Sequence, residues 1–197
     1  QTYGIAPPKQ LPMEGIYHPE FGYMKTLNEY IEKKYVAGKP TVGVMINRNP
    51  EQTGDEAYIK ALVEAIENNG ANAYVMFFSG IHRKAKTFRW TIENYFIKDG
   101  KAFVDVVISC LAHSLIAFMG SEPLDDLLSQ LGVPVLKAIA TYNTFEEWDK
   151  SLLGLSFTEV AWNVAMPEFD GMIITVPIAS RSVSAADKMT GSRGVSH

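Results

Sequence analysis

His113 carries the side chain best suited to proton transfer or metal binding near neutral pH. It lies in an apolar stretch, Leu111 to Met119, that follows a predicted strand. In that setting a histidine could bind a metal, titrate, or form hydrogen bonds inside a core. Residue type alone favours the structural role, so a functional role for His113 depends on its neighbours.

Two carboxylates lie close together in the run Pro167-Glu168-Phe169-Asp170-Gly171. Beside a tight turn, Glu168 and Asp170 could share a proton or bind a cation, and the plainer interpretation is a polar turn. The run precedes a predicted strand. A parallel arrangement would therefore place it at the edge of the sheet opposite the carboxyl ends. Either the run is structural, or another domain completes a site there.

A second group of polar residues follows the predicted strands. In an open α/β sheet, ligands bind beyond the carboxyl ends of the strands. Asn47, Arg48, Ser79 and Thr141 occupy such positions and are the candidate ligand-binding residues. Arg48 could bind a carboxylate through two hydrogen bonds, although an Arg in a loop often meets only water. Cys110 is interpreted as a small buried apolar residue rather than a thiolate.

Several function classes are excluded by missing motifs. The sequence has no P-loop, no Gly-x-Gly-x-x-Gly after a strand, no Gly-x-Ser-x-Gly elbow and no closely spaced histidine pair. We therefore expect no nucleotide hydrolysis by this chain, and the metal ligands stay unknown. A net charge of −4 and the lack of a basic patch argue against nucleic acid. A single cysteine and no long apolar segment favour a soluble cytoplasmic protein.

The elements around these residues alternate regularly and predict one α/β domain. Five apolar runs predict a doubly wound, mainly parallel five-stranded sheet of flavodoxin-like order, because strands buried on both faces are typical of parallel pairing. The predicted strands are Thr41 to Ile46, Asn72 to Phe78, Phe103 to Ser109, Val133 to Ile139 and Met172 to Val176.

Helices are predicted from apolar stripes and their end signals. The first has Met24, Leu27, Ile31 and Tyr35 on one face. The second has a Thr53–Glu56 capping box and a stripe of Ala57, Ala61, Leu62, Ala65 and Ile66. The third has Ala85, Phe88, Ile92 and Phe96, closed by Asp99-Gly100. A fourth is capped by Ser121, and two short ones open with the capping boxes Thr144–Glu147 and Ser156–Glu159.

These patterns divide the chain into three parts. Residues 1–40 are predicted as an extended, proline-rich surface lead-in plus a helix, and residues 41–177 as the α/β domain. Residues 178–197, rich in Ser, Ala and Gly, are predicted as a flexible tail or linker.

Several segments together resemble the large subunit of cobaltochelatase and the porphyrin-binding H subunit of magnesium chelatase. The resemblance runs from Ile16 to Val176 and is most specific in its second half. It is carried by Ile16-Tyr-His-Pro19, Val42 to Arg48, Glu67 to Ala71, Phe103 to Ser109, Leu131 to Ile139, Thr144-Phe-Glu-Glu-Trp148, Gly154-Leu155 and Ala165 to Gly171. The loop with Ala112-His113-Ser114 departs from the family pattern.

The resemblance implies ATP-dependent insertion of Co²⁺ or Mg²⁺ into a tetrapyrrole, with ATP hydrolysed by separate AAA+ subunits. This chain would be one segment of the large subunit and inactive alone. Insertion requires loss of two pyrrole N–H protons and delivery of a partly dehydrated metal. His113, Glu168 and Asp170 are then the catalytic candidates, and Arg48 could bind a propionate.

Three alternatives remain open. The same scaffold could remove metal from haem, which is iron-containing. The chain could be a free-standing small-ligand-binding module without catalysis. It could also be a scaffold that only contacts other subunits.

Overall fold

The computed structural model describes residues 11–48, 50, 56–79, 86–112, 114–119, 123–182 and 195–196. Several sequence predictions lie outside the described residues, namely those for Thr53, Ala85, His113 and Ser121.

The fold is built on one large sheet flanked by helices. Its strand order is β10-β9-β8-β7-β3-β4-β1-β2, and β5 and β6 form a separate hairpin. The strands are β1 Glu14–His18, β2 Gly22–Met24, β3 Thr41–Asn47, β4 Asn72–Phe78, β5 Ile97–Lys98, β6 Lys101–Ala102, β7 Val106–Ser109, β8 Val135–Thr144, β9 Ile173–Ser182 and β10 Val195–Ser196. The helices are α1 Leu27–Lys33, α2 Glu56–Asn68, α3 Phe88–Tyr95, α4 Ile116–Met119, α5 Leu124–Leu131, α6 Phe145–Lys150, α7 Phe157–Val160 and α8 Met166–Phe169, with a π-helical turn at Ala161–Ala165 between the last two.

The five predicted strands are confirmed as the parallel part of this sheet. They pair in the order β4-β3-β7-β8-β9, which is the flavodoxin-like order. Successive side chains of β3 and β4 enter two different cores. Val44 and Val75 pack with α2 on one face, while Met45 and Met76 pack with α1 and α3 on the other. Burial on both faces explains why these strands read as continuous apolar runs.

The expected surface lead-in is wrong for the residues that the structure describes. Residues Glu14–His18 form an antiparallel strand on the outer side of β4, and Ile16 is fully buried. Gly15 has a φ of 154°, and a Cβ there would overlap the Tyr23 ring. His18 accepts a hydrogen bond at Nδ1 from the Glu20 amide, so its Nε2 can donate to Glu67 on α2, 3.1 Å away. The prolines near this segment argued against a strand. The strand pairs with β4 along the edge that faces away from β3.

Two helix predictions have the right place but the wrong details. In α2 the buried side chains are Ile59, Val63 and Ile66, whereas the predicted Ala57, Ala61 and Ala65 are exposed. The larger branched side chains remove more apolar area from water, so they set the buried face. Asp99-Gly100 does not close α3, which ends at Tyr95. With φ values of 51° and 74°, it forms the turn of the β5–β6 hairpin.

Strand lengths also differ from the prediction. The third predicted strand begins at Val106 rather than at Phe103. The fourth and fifth continue to Thr144 and Ser182, so part of the predicted tail is paired strand. Val195–Ser196 pairs with the end of β9 in the antiparallel direction.

The side chain of Asn72, at the start of β4, binds the backbone of Val36, which follows α1. The contribution of this contact to stability can be measured. The buried amide of Asn72 accepts a hydrogen bond from Val36 N at 2.9 Å and donates one to Val36 O at 3.0 Å. We expect Asn72→Ala to lower the free energy of unfolding by about 2 kcal/mol, because two backbone groups lose their partner. Asn69→Ala, which removes one exposed hydrogen bond three residues away, is the control, with an expected loss below about 0.5 kcal/mol. Equal losses in urea unfolding would contradict this role of Asn72.

Candidate functional site

Three of the four predicted ligand-binding residues lie together at the carboxyl edge of the sheet. Asn47 ends β3 opposite Phe78, the last residue of β4, and Ser79 follows directly. The Arg48 amide donates to Phe78 O at 2.9 Å. Asn47 and Arg48 are exposed, while Ser79 is buried. Arg48 has a φ of 66°, a left-handed conformation that is uncommon outside glycine, so its backbone is held there by this strand end.

Thr141, the fourth predicted ligand-binding residue, lies on β8, two strands from β3. It binds the buried carboxylate of Glu159. Its hydroxyl donates to Glu159 Oε1 at 2.7 Å, and the Tyr142 amide donates to the same oxygen at 2.7 Å. The amide and the hydroxyl of Ser156 both donate hydrogen bonds to the other carboxylate oxygen, Glu159 Oε2. Burial alone would raise the pKa of the Glu159 carboxyl, but these hydrogen bonds together hold that pKa below its usual range. Glu159 therefore fixes α7 against the end of β8.

Asp170 lies just before β9 and binds residues that follow β7. Its carboxylate is buried and accepts hydrogen bonds from Ser114 Oγ at 2.7 Å and from the Leu115 amide at 2.5 Å. Ser114 and Leu115 follow β7. The run precedes the parallel strand β9, as expected, and what the sequence did not indicate is that the chain after β7 contacts it there. Glu168, two residues earlier, is exposed.

Lys137 is a buried ionisable residue that the sequence reasoning missed. It is 1% exposed and lies in β8 beside Ser109 of β7. Its ammonium group donates to Leu111 O, and to Ala138 O at 3.0 Å. Burial lowers the pKa of Lys137 to about 8, and burial raises the pKa of the Cys110 thiol to about 12. A lysine inside an otherwise apolar strand was the available signal.

Lys137 and Asp170 hold the same short stretch, which we call the 111–115 segment. The cation binds its first residue through the Leu111 carbonyl, and the anion binds its last two residues. A buried charge costs free energy unless it is hydrogen-bonded. Here the charged groups of Lys137 and Asp170 both form hydrogen bonds with this segment. The segment is therefore fixed at both ends. His113 belongs to it in sequence but lies outside the described residues.

Within the described ranges, no three His, Cys, Asp or Glu side chains gather as a metal-binding group. The same part of the chain holds no helix long and apolar enough to cross a membrane.

Removing the Asp170 carboxylate tests the anchoring of the 111–115 segment. We expect Asp170→Ala to lower the free energy of unfolding by about 2 kcal/mol, since it leaves the buried Leu115 amide without an acceptor. Amide hydrogen exchange at Leu115 should become faster. Glu168→Ala, which truncates the exposed neighbouring carboxylate, should change neither quantity. Unchanged exchange at Leu115 in Asp170→Ala would contradict the anchor.

The lowered pKa of Lys137 should make the free energy of unfolding depend on pH in the alkaline range. Its folded pKa of about 8 is below the ordinary 10.5, so between these values the unfolded chain binds a proton that the folded chain does not. The contribution of Lys137 to the free energy of unfolding should therefore rise between about pH 8 and 10.5, by up to about 3 kcal/mol in total. The raised pKa of Cys110 has the opposite sign, because the unfolded thiol ionises first above its ordinary value of 9.0.

The two effects are separable by substitution. Wild-type stability should rise between pH 8 and 9 and then level off, whereas Cys110→Ala should continue to gain stability up to pH 10. Lys137→Met should show no rise. Urea unfolding from pH 7 to 10 measures this, and a wild-type-like profile in Lys137→Met would refute the assignment.

The comparisons with known proteins cover nearly the whole chain. A family model described as CobN/Magnesium Chelatase matches residues 1–196. An uncharacterised protein of Methanocaldococcus jannaschii is 33% identical over 88% of this chain and 15% of its own length. The aerobic cobaltochelatase subunit CobN of a Sinorhizobium species is 28% identical over 97% of this chain and 15% of its own. The chloroplastic magnesium-chelatase subunit ChlH of rice is 31% identical over 72% and 10%.

A solved structure shares the fold. The catalytic subunit of cobaltochelatase from Mycobacterium tuberculosis superposes with a TM-score of 0.63 at 24% identity, over 94% of this chain and 15% of that one. The chain thus spans about 15% of the length of several of the relatives it matches. Since the family model extends over residues 1–196, the chain belongs to the CobN/magnesium chelatase family.

Proposed function

We propose that this chain is part of the tetrapyrrole-binding large subunit of a metal chelatase. One observation carries the proposal: the sequence of this chain matches a relative named for cobalt over 97% of its length and another named for magnesium over 72%. What such chelatases have in common is the tetrapyrrole ring rather than the metal. The shared domain therefore supports a role in handling the ring, with Co²⁺ or Mg²⁺ as the metal that is inserted.

The carboxyl edge of the sheet supports ring binding through carboxylate substituents. Arg48 is exposed there, next to the exposed Asn47, and the buried Ser79 follows the neighbouring strand end. A guanidinium group can form two parallel hydrogen bonds with a propionate. In this proposal Arg48 binds such a carboxylate while Asn47 and Ser79 contact neighbouring polar atoms.

Proton removal and metal delivery are assigned to the segment after β7 and to the motif that meets it. A neutral His113 or an ionised Glu168 can accept a pyrrole proton, and both remain candidates. Both Asp170 oxygens already accept hydrogen bonds from the 111–115 segment. These contacts support a positioning role for Asp170, which would hold the segment that includes His113.

The energy for insertion is proposed to come from ATP hydrolysed by separate AAA+ subunits. The sequence has no P-loop, which supports a division of labour of this kind. A cytoplasmic, reducing location fits the single cysteine, whose thiol stays protonated because burial raises its pKa to about 12.

Titration with a free ring tests the proposal. The purified chain is titrated with protoporphyrin IX and, in parallel, with a cobyrinate-type ring, while the Soret or visible band is recorded. We expect a saturable spectral change in the micromolar range. Arg48→Asn, which suits the left-handed backbone, should weaken binding several-fold, because one charge-assisted contact is lost. Lys101→Gln, which removes a positive charge from the β5–β6 hairpin, is the matched control.

The absence of any spectral change at high micromolar ring would contradict ring binding by this chain. Esterified ring carboxylates should abolish the difference between wild type and Arg48→Asn. In a full-length large subunit, unchanged metal insertion in His113→Ala and Glu168→Gln would remove both residues from the site.

A further inference from the structure

The helix α6 is held by its cap and not by core packing. None of its six residues is buried, and Phe145 is 63% exposed. The Glu147 amide donates to Thr144 Oγ1 at 3.2 Å, and Glu147 accepts from the Thr144 amide at 2.8 Å, which completes a capping box. An ion pair between Lys150 and Glu146 supports its last turn. Of its two aromatic rings, that of Phe145 is mostly exposed and that of Trp148 is half-buried, so neither is enclosed by a core.

Below α6, the pairing of β8 with β9 is irregular. The register shifts between Lys137 and Ile139, again before Ala140, and again before Thr144. Pro177 lies within this stretch of β9 and has no N–H for the ladder. Such irregularities next to a strand end redirect side chains and often border functional sites.

The irregularity and α6 together enclose a half-open cleft of about 240 Å³. Its lining contains no charged residue and is made by Thr141, Phe145, Trp148, Pro177, Ile178, Ala179 and Ser180. The Phe145 and Trp148 rings have centroids 6.0 Å apart and planes inclined by 42°. They form an angled aromatic corner in the cleft lining, and aromatic rings pack well against a further flat group in offset or edge-to-face contact.

The size and charge of the cleft suggest which part of a ligand would enter it. It is smaller than the pockets of ~300–1,000 Å³ that enclose drug-sized ligands, so it holds one edge of a macrocycle. The cleft lining offers no charged group that could compensate a buried carboxylate, so the apolar edge of a ring is the part that suits it.

We propose that the cleft between α6 and the irregular β8–β9 pair binds the apolar edge of a tetrapyrrole, with Phe145 and Trp148 in contact with its face. This rests on the proposed function and adds a second contact region, separate from the one at Arg48. The alternative occupant is an apolar side chain from another polypeptide segment, and the experiment distinguishes the two.

The test compares ring affinity among single variants. Protoporphyrin IX is titrated into wild type, Phe145→Ala, Trp148→Leu and Phe157→Ala. Phe157 is 92% exposed and lies outside the cleft lining, so it controls for loss of an exposed aromatic ring. We expect the two cleft variants to bind roughly tenfold more weakly, equal to about 1.4 kcal/mol, and Phe157→Ala to bind like wild type. Phe145 is 63% exposed, so Phe145→Ala should keep the wild-type urea midpoint, and weaker ring binding by that variant cannot be assigned to unfolding.

Each other outcome has a distinct meaning. If wild type binds the ring and the cleft variants bind equally well, the cleft inference is overturned while the proposed function stands; this is also the result expected if the cleft holds a polypeptide side chain. If Phe157→Ala weakens binding as much as the cleft variants do, the ring adsorbs to exposed apolar surface and the inference fails. If wild type binds no ring, the proposed function itself fails.

Discussion

The structure depends on one constraint: both faces of the central parallel strands must be kept from water. Strands β3 and β4 direct alternate side chains into two cores, and each core needs its own cover. Helix α2 covers one side, and α1 with α3 and α5 covers the other. The same requirement explains the fully buried Ile16 in β1, which extends the sheet beyond β4. The N-terminal unit is therefore part of the domain's packing.

The second half of the chain is organised differently, around buried ionisable groups. Lys137, Glu159 and Asp170 are each at least nine-tenths buried, and each is compensated by hydrogen bonds from or to nearby backbone and hydroxyl groups. Leaving such a group without partners would cost more than its partners contribute, so the surrounding chain must keep its geometry. These groups fix α7 and the 111–115 segment, which are short and have little core of their own.

Apolar exposure is also concentrated in this half. Among the residues that the structure describes, most of the large exposed apolar side chains lie between Tyr142 and Ile178. Where such side chains form a continuous surface, that surface usually marks a ligand or an interaction site. The chain matches only about 15% of the length of several relatives, so those proteins contain much more polypeptide that could contact such a face. Part of this apolar surface can therefore line the proposed ring-binding cleft, and another part can contact a neighbouring segment of a longer chain.

The sequence by itself determined the parallel strands, their flavodoxin-like order, the Thr144 and Ser156 capping boxes and the family. These depend on periodicity, on local end signals and on runs of residues, all of which are readable along the chain. It also brought Asn47, Arg48 and Ser79 to one edge, because neighbouring parallel strands end together. Only the tertiary structure decided that Thr141 serves Glu159, that Asp170 meets Ser114 and that Lys137 binds Leu111. Those contacts join residues 18 to 56 positions apart, and no local preference specifies which distant groups become neighbours once the chain is packed.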